Sequence, residues 1–264
     1  MRSGVAQRPR EVIKQPLPGI LRGPRTTTTP TIDRYRFLGN LQLWDTFEED
    51  ALATFQATPW ESHTTTMTYR GRRPANPPSM AVEHFLCGDE AGVQGRMGAN
   101  IAHVLSAVCS ATGVDLTFGD YKGTTDRPVQ GKVPDMAIMT GAGLSRAFGE
   151  LKAPWINAHN LNFAAARFRK QLGQVSLYML VAQHKYAFLS TYDYTIFLKQ
   201  EFHNGQWTLL HSRPIAHDGE FGGPAGDGEP PNITVRQAFW HLLKSVEAHQ
   251  VQNPTAPNAW VRRA

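Results

Sequence analysis

Cysteine is scarce in this chain: two residues, Cys87 and Cys109, in 264. Neither sits in a C-x-x-C pair or near a His-x-x-x-His partner. That excludes a disulfide framework and a cysteine-built zinc site, and leaves two buried thiols of a reducing compartment as the reading. Long apolar runs are also missing. No stretch approaches the roughly 20 residues that span a bilayer, so no membrane partner is expected. The first residues, MRSGVAQRPREVIKQPLPGILRGPR, contain no apolar core of a secretory signal. They are rich in arginine and poor in acids, as transit peptides are, but their prolines oppose the amphipathic helix such a peptide needs. The expectation is an intracellular protein, nucleus or cytoplasm left open. Internal repeats are absent, as are Gly-x-Ser-x-Gly and His-Glu-x-x-His, so neither a serine-hydrolase elbow nor a zincin helix is indicated. The ten histidines show no ligand spacing.

Charge of one sign is lacking over most of the chain. The net charge is +5, but residues 1–35 hold seven Lys/Arg against two Asp/Glu, and the other 229 residues are balanced. Any nucleic-acid contact by the folded body must therefore be a local patch. Hydrophobic residues make up 41% and charged residues 19%, enough for one sizeable core. The expected organisation is a disordered basic tail over 1–35, one domain over 36–250, and a loose tail over 251–264.

Two short motifs stand out, Val133-Pro134-Asp135 and Gly149-Glu150-Leu151-Lys152. Each borders a strand-like run, 133–140 and 145–152, with Gly141-Ala142-Gly143 as the turn between them. Side chains alternate along a strand, so Phe148, Glu150 and Lys152 share one face, and Gly149 and Leu151 the other. Proline suits a strand start, which places Asp135 at the beginning of its strand. The antiparallel return then brings Asp135 beside Glu150 and Lys152. Two carboxylates offer hard oxygens for Mg²⁺ or Mn²⁺, and a lysine can stabilise charge on a phosphate or position the attacking water.

The flanking pattern supplies context. A helix is expected from Asp89 to about Ser110, a strand over 114–118, and a long helix from about His159 to Gln183. On that last helix Arg167, Lys170, Gln171, Gln174 and Tyr178 form a polar stripe, opposite Phe168, Leu172, Val175 and Met179. Further strands are expected at 186–191, 194–199 and 207–212, and a helix at 234–248. Arg70, Arg72 and Arg73 form a small basic cluster in a loop.

Taken together, the ordered Pro-Asp, Glu-x-Lys and Gln174-x-x-x-Tyr178 motifs resemble the PD-(D/E)xK nuclease superfamily, in its RecB-like form. The resemblance covers about residues 83–200, and Gly149–Trp155 is similar to a stretch of uncharacterised fungal members. It implies an α/β fold with a restriction-endonuclease-like α-β-β-β-α-β core, here followed by a C-terminal β/α extension. It also implies a nuclease acting on DNA. Asp135, Glu150 and Lys152 would be catalytic, with Asp135, Glu150 and a helix acid, best matched by Glu90, on the metal. Gln174 and Tyr178, with Lys170 and Arg167, would contact the substrate. Glu83 and Asp89 compete for the role of Glu90, whose bland reading is an acid favoured at a helix start. The other reading of the whole is a catalytically inactive module of the same fold that binds nucleic acid or a protein.

Overall fold

The computed structural model describes residues 5–29, 34–69, 83–125, 133–161, 165–222, 229–246 and 251–263. The Arg70–Arg73 cluster lies outside them. The chain is mixed α/β, built on one eight-stranded sheet. Its strands are β1 (Asn40–Leu43), β2 (Thr117–Gly119), β3 (Met136–Met139), β4 (Ser145–Leu151), β5 (Tyr186–Ser190), β6 (Tyr194–His203), β7 (Gln206–His211) and β8 (Ile215–Ala216). The spatial order is β1-β7-β6-β5-β4-β3-β2, with β8 paired to β6. The pairs β4–β5 and β1–β7 are parallel and the rest antiparallel. The parallel step from β4 to β5 requires a crossover, and helix α4 (Ala165–Val181) provides it.

Helix α1 (Phe47–Ala57), the pair α2 (Glu90–Met97) and α3 (His103–Thr112), and α5 (Val235–Val246) cover one face of the sheet. A π-turn at Gly98–Ala102 joins α2 to α3, and Gly113 ends α3 in the left-handed conformation. Alternation along the strands divides the core. Met136, Ile138, Ala147, Leu151 and Phe188 pack under those helices, while Ala137, Met139, Phe148, Ala187 and Leu189 pack under α4. No helix among the described residues is long and apolar enough to cross a membrane.

Both chain ends depart from the sequence expectation. Residues 5–29 are not a disordered tail. Val5–Gln7 pairs with Met67–Tyr69, a short helix spans Pro9–Ile13, and Leu21–Arg22 pairs with Leu86–Cys87. Val12, Ile13 and Leu17 are buried in the main core. The segment 251–263 is not loose either. Val261–Arg263 pairs with Tyr35–Phe37, and Trp260 meets Phe37 edge-on with ring centroids 5.3 Å apart. Val12, Ile13 and Leu17 anchor the first segment and Trp260 and Val261 the second. Strand β1 was also not anticipated, being four residues with two exposed positions.

His241 on α5 sits in an aromatic pocket with Trp44 and Phe47, and its Nδ1 lies 2.7 Å from Thr54 Oγ1 of α1. Burial pushes its pKa below the ordinary imidazole value of 6.5. The unfolded chain therefore takes up a proton before the folded one, and stability must fall as pH drops below that value. Thermal melts from about pH 7.5 to about pH 5.5 should show this loss, and His241→Gln should flatten the slope. An unchanged slope in the variant would remove His241 as its source.

Candidate functional site

The site forms where β3, β4, α2 and α4 meet. Asp135 immediately precedes β3, and its Oδ2 accepts the Leu151 backbone N–H at 2.8 Å. That bond ties the start of β3 to the end of β4, as the antiparallel hairpin requires. Gln94, one turn into α2, donates its side-chain amide to the Asp135 carbonyl oxygen. Glu150 and Lys152 follow on the α4 side of the sheet. Both are 2% exposed, and Lys152 Nζ lies 2.8 Å from Glu150 Oε1. Gln174 Nε2 of α4 donates to the other carboxylate oxygen, Oε2, at 3.2 Å.

Tyr178 completes the arrangement from beneath. Its hydroxyl accepts from Gln174 and donates to the Val133 carbonyl at 3.3 Å. It is fully buried. Burial, and then the negative charge of Glu150, pushes its pKa well above the ordinary phenol range, so it stays protonated. Tyr178 thus holds Gln174 rather than presenting a hydroxyl to solvent. Gln171, placed on the same polar stripe, is also buried and donates to the carbonyls of Ala158 and Asn160. The helix is enclosed on its outer side as well, because Tyr35–Phe37 and Val261–Arg263 lie across it. Arg167 and Lys170 are exposed in its first turns and Val181 at its end. Arg167 reaches the Asn157 carbonyl at 3.5 Å. These two cations are near neither carboxylate in any bond of the described residues.

Glu90 opens α2, and its carboxylate lies 3.9 Å from His159 Nδ1. It also acts electrostatically on Asp135. The rival acids are committed elsewhere. Asp89 caps α2 by accepting the Gly92 N–H, and Glu83 is paired to Arg96 at 3.0 Å. His159, 1% exposed with Nδ1 3.1 Å from the Ala153 carbonyl, was not singled out in the sequence. A lone histidine after a helix-breaking segment gives no signal of its own.

Burial raises the Asp135 carboxyl above the usual aspartate range, and Glu90 adds to the effect. The Leu151 N–H and Lys152 work the other way without cancelling it. A carboxylate in that position gains from a nearby cation. Among the described residues no group of three or more His, Cys, Asp or Glu side chains is arranged as a ready ion site. Mg²⁺ does not need one, since it is commonly held by one or two carboxylates and keeps several waters. Asp135 and Glu150 carry oxygen donors of the hard type that such an ion takes.

A cleft of about 180 Å³ adjoins the site, lined by Thr27, Thr29, Asp89, Glu90, Ala153 and Ile156. It places Glu90 and the residue after Lys152 on a common wall. In comparisons with known protein families, curated proteins and solved structures, the chain matches none of them.

Proposed function

We propose that this chain is a nuclease of the PD-(D/E)xK type, cleaving phosphodiester bonds of DNA with Mg²⁺ or Mn²⁺. One observation carries the reading. A carboxylate and a lysine two residues apart are buried together on one strand face, beside a second carboxylate that starts the neighbouring strand, and a Gln–Tyr pair from the crossover helix holds them. The element order from α2 to β5, a helix pair joined by a π-turn, three strands, helix, strand, is the order expected of a restriction-endonuclease-like core.

On this reading Asp135 and Glu150 hold the ion, with Glu90 positioned to reach it through water. The bound ion supplies a lowered pKa for a coordinated water and charge stabilisation on the phosphate. Lys152 presents a fixed ammonium where negative charge develops, and its place is preset by Glu150. Gln174 orients Glu150, and Tyr178 orients Gln174. One feature favours the rival reading of an inactive module: both Glu150 oxygens are already engaged, so the pair could serve structure alone.

Labelled DNA should be cleaved in Mn²⁺ or Mg²⁺ and not in EDTA. Asp135→Asn should lower the rate on the order of a hundredfold or more while folding is retained. Cleavage indifferent to EDTA and to Asp135→Asn would sink the metal-dependent reading. No cleavage together with no Mn²⁺-dependent rise in melting temperature would favour the inactive module.

A further inference from the structure

The cleft beside the carboxylates has one wall that the nuclease chemistry does not use. It is the segment from Leu21 to Thr29, which crosses in front of the start of α2. Gly23 N donates to the Cys87 carbonyl at 2.9 Å, and Thr27 N to the Gly88 carbonyl at 2.8 Å. The Trp155 indole N–H reaches across and donates to the Thr27 carbonyl at 3.0 Å. The Arg22 guanidinium lies over the Trp155 ring, 5.7 Å from its centroid. Trp155 stands three residues after Lys152, so this platform is fixed to the end of the strand that carries the catalytic pair. Arg22 and Arg25 are exposed in the 21–29 segment, and the exposed Arg167, with Lys170 behind it on α4, reaches the Asn157 carbonyl two residues past Trp155.

We infer that the 21–29 segment and Trp155 form a binding platform for an unpaired nucleic-acid strand. The inference rests on the nuclease reading for its place in catalysis. Three physical points favour a single strand over a duplex. First, an indole with a guanidinium on its face is a surface on which a base stacks, and the bases of a duplex are already stacked on one another. Second, Trp155 is half-buried and its indole N–H is held by the Thr27 carbonyl, so the ring is fixed in place for an unpaired base to stack on what is exposed of it. Third, the exposed cations beside this segment are few, which suits one phosphate track rather than two. The acids Asp89 and Glu90 line the same cleft. A phosphate can approach them only when a divalent ion offsets their charge, so divalent ion is kept in the test.

The test measures binding and cleavage separately. Fluorescence anisotropy in Mg²⁺ would follow the full-length Asp135→Asn protein with labelled oligo(dT) and with a blunt hairpin duplex of equal length. The single strand should bind at least about tenfold more tightly. Trp155→Ala should cost about tenfold in that affinity, the scale of one lost base stack, and Arg22→Ala several-fold. Trp155→Phe, which keeps a ring but loses the bond to Thr27, should fall between and guards against a merely misfolded segment. Equal affinity for both DNAs, or binding unaffected by Trp155→Ala and Arg22→Ala, overturns the inference. The native protein separates this failure from failure of the nuclease reading. Duplex cut as fast as single strand leaves the nuclease and removes the platform. Selective binding of oligo(dT) without cleavage of any DNA leaves the platform and removes the nuclease.

Discussion

Lys152→Ala is expected to abolish cleavage and to destabilise the fold by about 3 kcal/mol at once. The two effects have different origins. On the nuclease reading, cleavage loses the ammonium that would offset charge on the phosphate. Stability falls because Glu150, 2% exposed, is left without the charge that neutralises it. A buried pair of this kind is costly to break and cheap to replace whole, since desolvating two ions offsets most of their attraction. The double variant Glu150→Gln with Lys152→Met should therefore recover stability to within about 1 kcal/mol of the native chain, and recover no activity. Urea unfolding of the native chain, Glu150→Gln, Lys152→Met and the double variant, read as a double-mutant cycle, gives the coupling between the two side chains. The rate of DNA cleavage is measured alongside. Stability unchanged in Lys152→Ala would mean that the pair is not buried as described. Activity returning in the double variant would remove Lys152 from the chemistry. An inactive native protein with a large coupling energy would assign the pair to structure alone.

The contrast between the site and the chain ends shows what the sequence makes legible. Glu150 and Lys152 could be placed because strand alternation is local: Phe148 packs beneath α4, Gly149 meets the Phe188 ring on the opposite face, and the next polar side chains follow the same rule. Asp135 could be placed because Pro134 and the Gly141–Gly143 turn fix where the hairpin starts and folds back. The sequence places Tyr178 on the polar stripe, and the structure buries it against Phe148 of the sheet with its hydroxyl on Gln174 and the Val133 carbonyl. Helical periodicity separates two faces of a helix but does not tell whether a second layer covers the outer one. The covering layer is Tyr35–Phe37 paired with Val261–Arg263. Each is three residues long, and the two come from opposite ends of the chain. Such short segments carry no period to read, and only their pairing buries Phe37 and Trp260. The same holds for Leu21–Arg22, whose partner Leu86–Cys87 is equally short. Polar and Pro-rich composition suggested a solvated tail there. The structure uses its few apolar residues, Val12, Ile13 and Leu17, as anchors.

The seating of α4 against that terminal pair leads to an expected result of opposite sign for one substitution at two sites. Gly95→Ala and Gly173→Ala both place a better helix former inside a helix, a gain of up to about 1 kcal/mol from propensity alone. At Gly95, on α2, an added Cβ meets nothing within 4 Å, so Gly95→Ala should stabilise the protein by a few tenths to about 1 kcal/mol. At Gly173 the Cβ would run into the Tyr35 carbonyl oxygen and carbon. Those are backbone atoms of a paired strand and have no rotamer to escape into. The helix and the strand must separate, which loosens Phe37 and Trp260 together. Overpacking of this kind costs about 1–3 kcal/mol or more and outweighs the propensity gain, so Gly173→Ala should be destabilising by about 2 kcal/mol net. Gln174 is the next residue, so the displaced helix also carries the amide that holds Glu150, and cleavage should fall with stability. Thermal or urea melts of the two variants provide the comparison. A stabilised Gly173→Ala would mean that the terminal pair does not lie against the helix.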